Sequence, residues 1–178
     1  MRHLMLLRHA KTERDSPSGL DQDRRLSAVG RADAPAIGRY VGARHLIPDL
    51  VLVSPAARAR ETWELFAAEL ATVPPSEFVA DLYGADPAQL SRIARMADAF
   101  AHKSPIERLM IVAHNPGLHE FALALTANGG KDREALAGNL PTGALTLIEC
   151  PIANWSDLSF GGGRLERLIL PSMLRQKN

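Results

Sequence analysis

The sequence predicts an α/β domain of three layers, α/β/α, around a mostly parallel central sheet. Three observations carry this. Short apolar runs at residues 4–7, 51–53 and 109–113 each stop at a polar or charged residue, as buried strands do. Segments with helical spacing lie between them, at residues 27–43, 55–70, 87–100 and 116–125. Strand and helix alternate, which is the pattern of a parallel sheet with crossover helices.

The elements have legible ends. Ser27, Ser54, Asp86 and Asn115 are favoured helix N-cap types, and the last three precede a proline suited to the first helical position. Pro35 falls inside the first helical segment, where its missing N–H and its ring predict a kink or a division. Two further strands are expected at residues 144–149 and 164–170, as sheet-edge elements joined by a loop that contains Pro151 and the glycines 161–163. Residues 14–25 form a polar loop expected beside the site. With 178 residues the chain is long enough for one domain, 1–178, with a substantial core.

Composition narrows the function. A net charge of +1 gives no basis for nucleic-acid or anionic-membrane binding, so positive charge that matters must be local. The N-terminal apolar run of four residues is bounded by charges and is not a signal peptide, and no stretch approaches the roughly 18 apolar residues of a membrane helix. The single cysteine, Cys150, fits a reducing compartment, and the expected location is cytoplasmic. The oligomeric state stays open.

The chemistry converges at strand ends. Parallel α/β sheets bind ligands beyond the carboxyl ends of their strands. The first strand delivers Arg8 and His9 there, the second Ser54 and then Arg58, and a later one His114. Taken singly, either histidine reads as a hydrogen-bonded packing residue. Together with two arginines they make a pocket for an anion, and the planar arginine fork matches phosphate. His9 is the candidate nucleophile, with Arg8, Arg58 and a charged His114 binding the phosphoryl oxygens. Arg60 lies two residues from Arg58 and points to another side of the helix, so Arg58 is the choice.

Other candidates carry less. His3, His45, His102 and His119 have no matching partners and read as surface or packing residues. The glycines 161–163 and the GGK at 129–131 lack the context of a nucleotide loop and read as turns. There is no HExxH or cysteine cluster, so neither a metal nor another cofactor is expected.

The segments LLRHAKTE, SPAARARET and VAHNPGL, in this order, resemble the histidine phosphatase superfamily, most closely its small SixA-type phosphohistidine phosphatases. DQDRRLSAVGRADA at residues 21–34 is similar to the stretch that follows the first loop in that family. The resemblance implies a phosphoglycerate mutase-like fold, His9 as phospho-acceptor, Arg8 and Arg58 as phosphate-binding arginines and His114 as the second pocket histidine. Ala10 stands where the superfamily usually has glycine, and Asn115 where mutase-like members often do; both variants look like the SixA branch. The resemblance implies a metal-independent phosphatase acting on a phosphorylated protein, with phosphohistidine foremost, or on a small phosphate ester. A mutase and a non-catalytic phosphate-recognition module are the alternatives. Asp81 and Glu77 are the candidates for a general acid, and a phosphohistidine substrate, whose leaving group is an imidazole, has less need of one.

Overall fold

The computed structural model describes residues 1–100, 105–126 and 131–175. Six strands form one sheet in the order β3-β2-β4-β1-β5-β6, with β1 (Arg2–Arg8), β2 (Leu50–Val53), β3 (Ser76–Phe78), β4 (Arg108–Ala113), β5 (Leu145–Cys150) and β6 (Arg164–Ile169). The first four run parallel, whereas β5 pairs antiparallel with β1 and β6 antiparallel with β5. The sheet is therefore mixed, and mostly parallel where the site lies.

Alternation along the strands explains the three layers. Successive side chains of a strand point to opposite faces. Leu4 and Leu6 of β1, Leu50 and Leu52 of β2, and Leu109 and Ile111 of β4 face one layer. That layer is made by α3 (Pro87–Arg95), α4 (Gly117–Leu125) and α5 (Lys131–Gly138), through Leu90, Phe121 and Leu136. Met5, Leu7, Val51, Val53, Met110 and Val112 face the other, where α1 (Ala28–Ala43) and α2 (Ala57–Ala67) bring Ile37, Val41, Trp63 and Phe66. A last short helix, α6 (Pro171–Leu174), packs against α1. Both faces are covered, so the parallel strands read as continuous apolar runs rather than as alternating ones. Among the described residues no helix is long and apolar enough to cross a membrane.

Several boundaries differ from the sequence expectation, each for a tertiary reason. The run at 144–149 is not at the edge of the sheet: β5 lies between β1 and β6, and the edges are β3 and β6. The short β3, which contains Glu77, and the helix α5 have no counterpart in the sequence reading. Ser27 does cap α1, accepting from Gly30 N at 3.3 Å, and Asp86 caps α3 in a reciprocal pair with Gln89. Neither Ser54 nor Asn115 is a helix N-cap; those positions fall to Ala56 and Pro116. Helix α2 starts at Ala57 behind an extended Ala56, so Pro55 is not its first residue, and α4 starts at Gly117. Both side chains are engaged elsewhere, with His114 and with the Leu140 carbonyl. Helix α1 runs unbroken through Pro35, so the expected division is absent. His102 and residues 129–130 of the GGK run lie outside the described residues.

Glycine sets the approach of α4. A Cβ on Gly117 would lie 1.8 Å from the Ala85 carbonyl oxygen, so the helix that follows His114 can touch the backbone before α3 only without a side chain. Gly117→Ala is expected to cost about 1–3 kcal/mol, the usual penalty of overpacking. Urea unfolding measures this, and wild-type stability in the variant would show that the start of α4 is free to move.

Candidate active site

The register of three strands brings the site together. Arg8 of β1 lies beside Ala113 of β4, and Val53 of β2 beside Val112. The next residue on each strand is held by its neighbour: His9 N donates to Ala113 O at 3.1 Å and Ser54 N donates to Val112 O at 3.0 Å. His9, Ser54 and His114 thus emerge at one level beyond the carboxyl ends of the strands. The rings of His9 and His114 lie 5.2 Å apart between centroids.

Each imidazole is fixed differently. His9 Nδ1 is 2.8 Å from its neighbour's carbonyl, Ala10 O. A carbonyl only accepts, so Nδ1 carries the proton, and in the neutral ring Nε2 keeps its lone pair. Burial, followed by the nearby charges of Arg58, Arg8 and Arg24, lowers the His9 pKa to about 4, against the opposing pull of the Ala10 bond. His114 Nε2 shares a 2.7 Å hydrogen bond with Ser54 Oγ, while its buried Nδ1 has no partner among the described residues. Its pKa falls to about 3, again chiefly through burial and then through His9 and Arg58. Burial thus favours the neutral form of His114 in this arrangement.

The arginines have a built surround. Arg58 is only 6% exposed, whereas Arg60 is exposed and stacks on Phe78 at 4.8 Å. Arg58 Nη1 donates to the Asp21 carbonyl at 2.7 Å and Nη2 to Asp21 Oδ2 at 2.9 Å, which leaves the rest of its five N–H donors for an anion. Arg8 Nη1 donates to Leu140 O, the same carbonyl that accepts from Asn115 Nδ2, both at 2.9 Å. Arg8 Nε is buried with no partner among the described residues. Thr62 joins α2 to the end of β1: its hydroxyl accepts from Ala10 N at 3.0 Å and donates to Arg58 O at 2.6 Å.

Two side chains that sequence reasoning passed over complete the rim. Tyr83 stands edge-on to His114, with centroids 5.7 Å apart, and donates its hydroxyl to Asp21 Oδ2 at 2.8 Å. Asp21 also accepts from Arg24 Nη1 at 3.2 Å, and with Tyr83 as the leading cause its carboxyl is held at about 2. The signal for Asp21 was its place in the polar loop at 14–25. Of the two acids considered as proton donors, Asp81 is exposed on the turn before Tyr83 and Glu77 is exposed on the edge strand β3.

The remaining candidates have other surroundings. His119 Nε2 donates to Leu136 O at 2.6 Å, His3 lies 3.9 Å from Glu166, and His45 is exposed. Cys150 is buried and its thiol is pushed up to about 12, which removes it as a nucleophile.

The comparisons with known proteins fall on this frame. The model of the histidine phosphatase superfamily (branch 1) matches residues 4–83. An uncharacterized protein of Mycobacterium tuberculosis is 29% identical over 170 residues, covering 93% of this chain and 99% of its own. The structure of a putative phosphohistidine phosphatase SixA from Agrobacterium tumefaciens superposes with a TM-score of 0.75 at 28% identity, over 96% of this chain and 98% of that one. A putative SixA from Nakamurella shares the fold with a TM-score of 0.79 at 22% identity, over 96% of each chain.

The two buried rings link stability to pH. Their folded pKa values, about 4 and about 3, lie below the ordinary 6.5, so between these limits the unfolded chain binds more protons. Stability is then lost as pH falls from 6.5 toward 4, at up to about 1.4 kcal/mol per pH unit for each ring. Urea unfolding at pH 7 and pH 4.5 should show a smaller loss for His9→Gln than for the wild type; equal losses would contradict the assigned burial.

Proposed function

We propose, on the premise that the chain belongs to the histidine phosphatase superfamily and is a phosphatase with a SixA-type fold, that it removes the phosphoryl group of protein phosphohistidine through a covalent intermediate on His9. The observation that carries this is the His9 Nδ1–H bond to Ala10 O, which leaves Nε2 as a neutral nucleophile at physiological pH.

The first step is attack of His9 Nε2 on phosphorus. The lone pair forms the new N–P bond as the bond to the leaving nitrogen breaks. Arg8 and Arg58 hold the equatorial oxygens, where charge accumulates during transfer. His114, beside His9, gives a further donor, and a phosphoryl dianion against it raises its affinity for a proton. Water then attacks the phosphohistidine on His9, releasing phosphate and restoring the neutral ring.

The leaving group decides between substrate classes. An alkoxide needs a proton from a general acid, but the carboxylate on the pocket's arginine is Asp21, which at about 2 has no proton to give at neutral pH. An imidazole leaves more readily. A groove of about 920 Å³, lined by residues 11–17, 25 and 27–29, runs along the segment after His9. A cytoplasmic setting agrees with the free, buried Cys150.

Incubation with a labelled phosphodonor is expected to give acid-labile, alkali-stable label on the wild type and none on His9→Ala. A wild type that turns over without such label would overturn the mechanism. Arg58→Ala should lower kcat/KM by about 10²–10³, the scale for losing one preorganised donor to developing charge; a loss below about threefold would remove Arg58 from the proposed oxyanion clamp.

A further inference from the structure

Asp21 places a carboxylate against the buried arginine of a pocket otherwise made for an anion. Its position is nonetheless built. Arg58 Nη1 donates to its carbonyl and Nη2 to its Oδ2, Tyr83 donates to Oδ2, and Arg24 donates to Oδ1. Arg24 is itself anchored by bonds to Thr12 Oγ1 and Glu13 O, and the loop's end is tied to α2 where Leu26 N donates to Glu61 Oε2. Arg58 is 7% exposed in its side chain and Asp21 52%, so the carboxylate lies on the solvent side of the buried arginine.

Counting lone pairs leaves one site. Each carboxylate oxygen accepts about two hydrogen bonds. Oδ2 is filled by Arg58 and Tyr83; Oδ1 holds only Arg24. Oδ1 therefore keeps one anionic acceptor position, on a carboxylate that is half exposed and paired with Arg58.

We propose that Asp21 is a specificity-determining residue that accepts a hydrogen bond from the distal ring N–H of the substrate phosphohistidine and so selects a protonated imidazole leaving group. This rests on phosphohistidine being the substrate. The electrons and protons balance without a general acid. The phosphorylated ring enters protonated on its distal nitrogen, as a cation. His9 Nε2 forms a bond to phosphorus, the P–N bond to the substrate breaks, and its electron pair stays on the departing nitrogen. The ring leaves as neutral imidazole, its distal N–H still on Asp21, and no proton has crossed. An alkyl phosphate has no such cation, so the carboxylate gives it nothing and repels its phosphoryl charge.

The test compares wild type and Asp21→Asn on a phosphohistidine peptide and on p-nitrophenyl phosphate, whose phenolate leaves without a proton. The ratio of the two kcat/KM values is expected to fall about tenfold or more in the variant, the scale of one charge-assisted hydrogen bond. The alkaline limb of the peptide pH profile should also move to lower pH, because the cationic ring loses its stabilising charge. An equal fall on both substrates, or an unchanged ratio, would overturn the role of Asp21 and reduce it to a support for Arg58. A wild type that turns over p-nitrophenyl phosphate but not the peptide would instead overturn the substrate reading.

Discussion

The parallel pairing of β4 with both β1 and β2 is the constraint on which the rest of the molecule depends. Because β4 lies between the other two, its backbone carbonyls fix where each neighbour stops: Ala113 O takes the N–H of His9, and Val112 O that of Ser54. Chemistry-bearing residues from distant parts of the chain then stand at one level, above a sheet whose two faces are sealed by helices. A slip of one residue would turn every strand side chain to the opposite layer, so the apolar sets Leu4, Leu6 and Met5, Leu7 enforce the register that the site requires.

The site accumulates positive charge and yet keeps its imidazoles neutral, and the two facts have one cause. Burial disfavours the charged forms of His9 and His114, and the arginines add to this. Guanidinium groups are permanent cations, and here Arg58 is paired with Asp21 while Arg8 donates to Leu140 O. The pocket is thereby divided into permanent cations that hold oxygens and a neutral nitrogen with a lone pair. Thr62 joins the two parts, since its one hydroxyl receives the N–H beside His9 and gives its proton to the carbonyl of Arg58.

Much of this was legible in the sequence because it is encoded locally. The apolar runs that stop at Arg8, Ser54 and His114 mark β1, β2 and β4, and the α/β alternation between them gives the layers. Ser27 and Asp86 cap helices, Ser27 keeping its hydroxyl oxygen for Gly30 N while its proton goes to Lys11 O. Ser54 and Asn115 carry the same local signal, but tertiary partners take their polar groups. Asp21 and Tyr83 meet from 62 residues apart, and no spacing rule announces such a pair. Sequence shows the arginines near His114 but not the burial that lowers its affinity for a proton.

The central claim is that His9 is a buried, neutral imidazole protonated on Nδ1. Nitrogen-resolved NMR of the histidine rings from pH 3.5 to 8 tests it directly. His9 is expected to hold the Nδ1–H form from pH 8 down to about 5 and to take up a second proton near 4. A ring protonated on Nε2, or one that titrates at the ordinary value near 6.5, would contradict it.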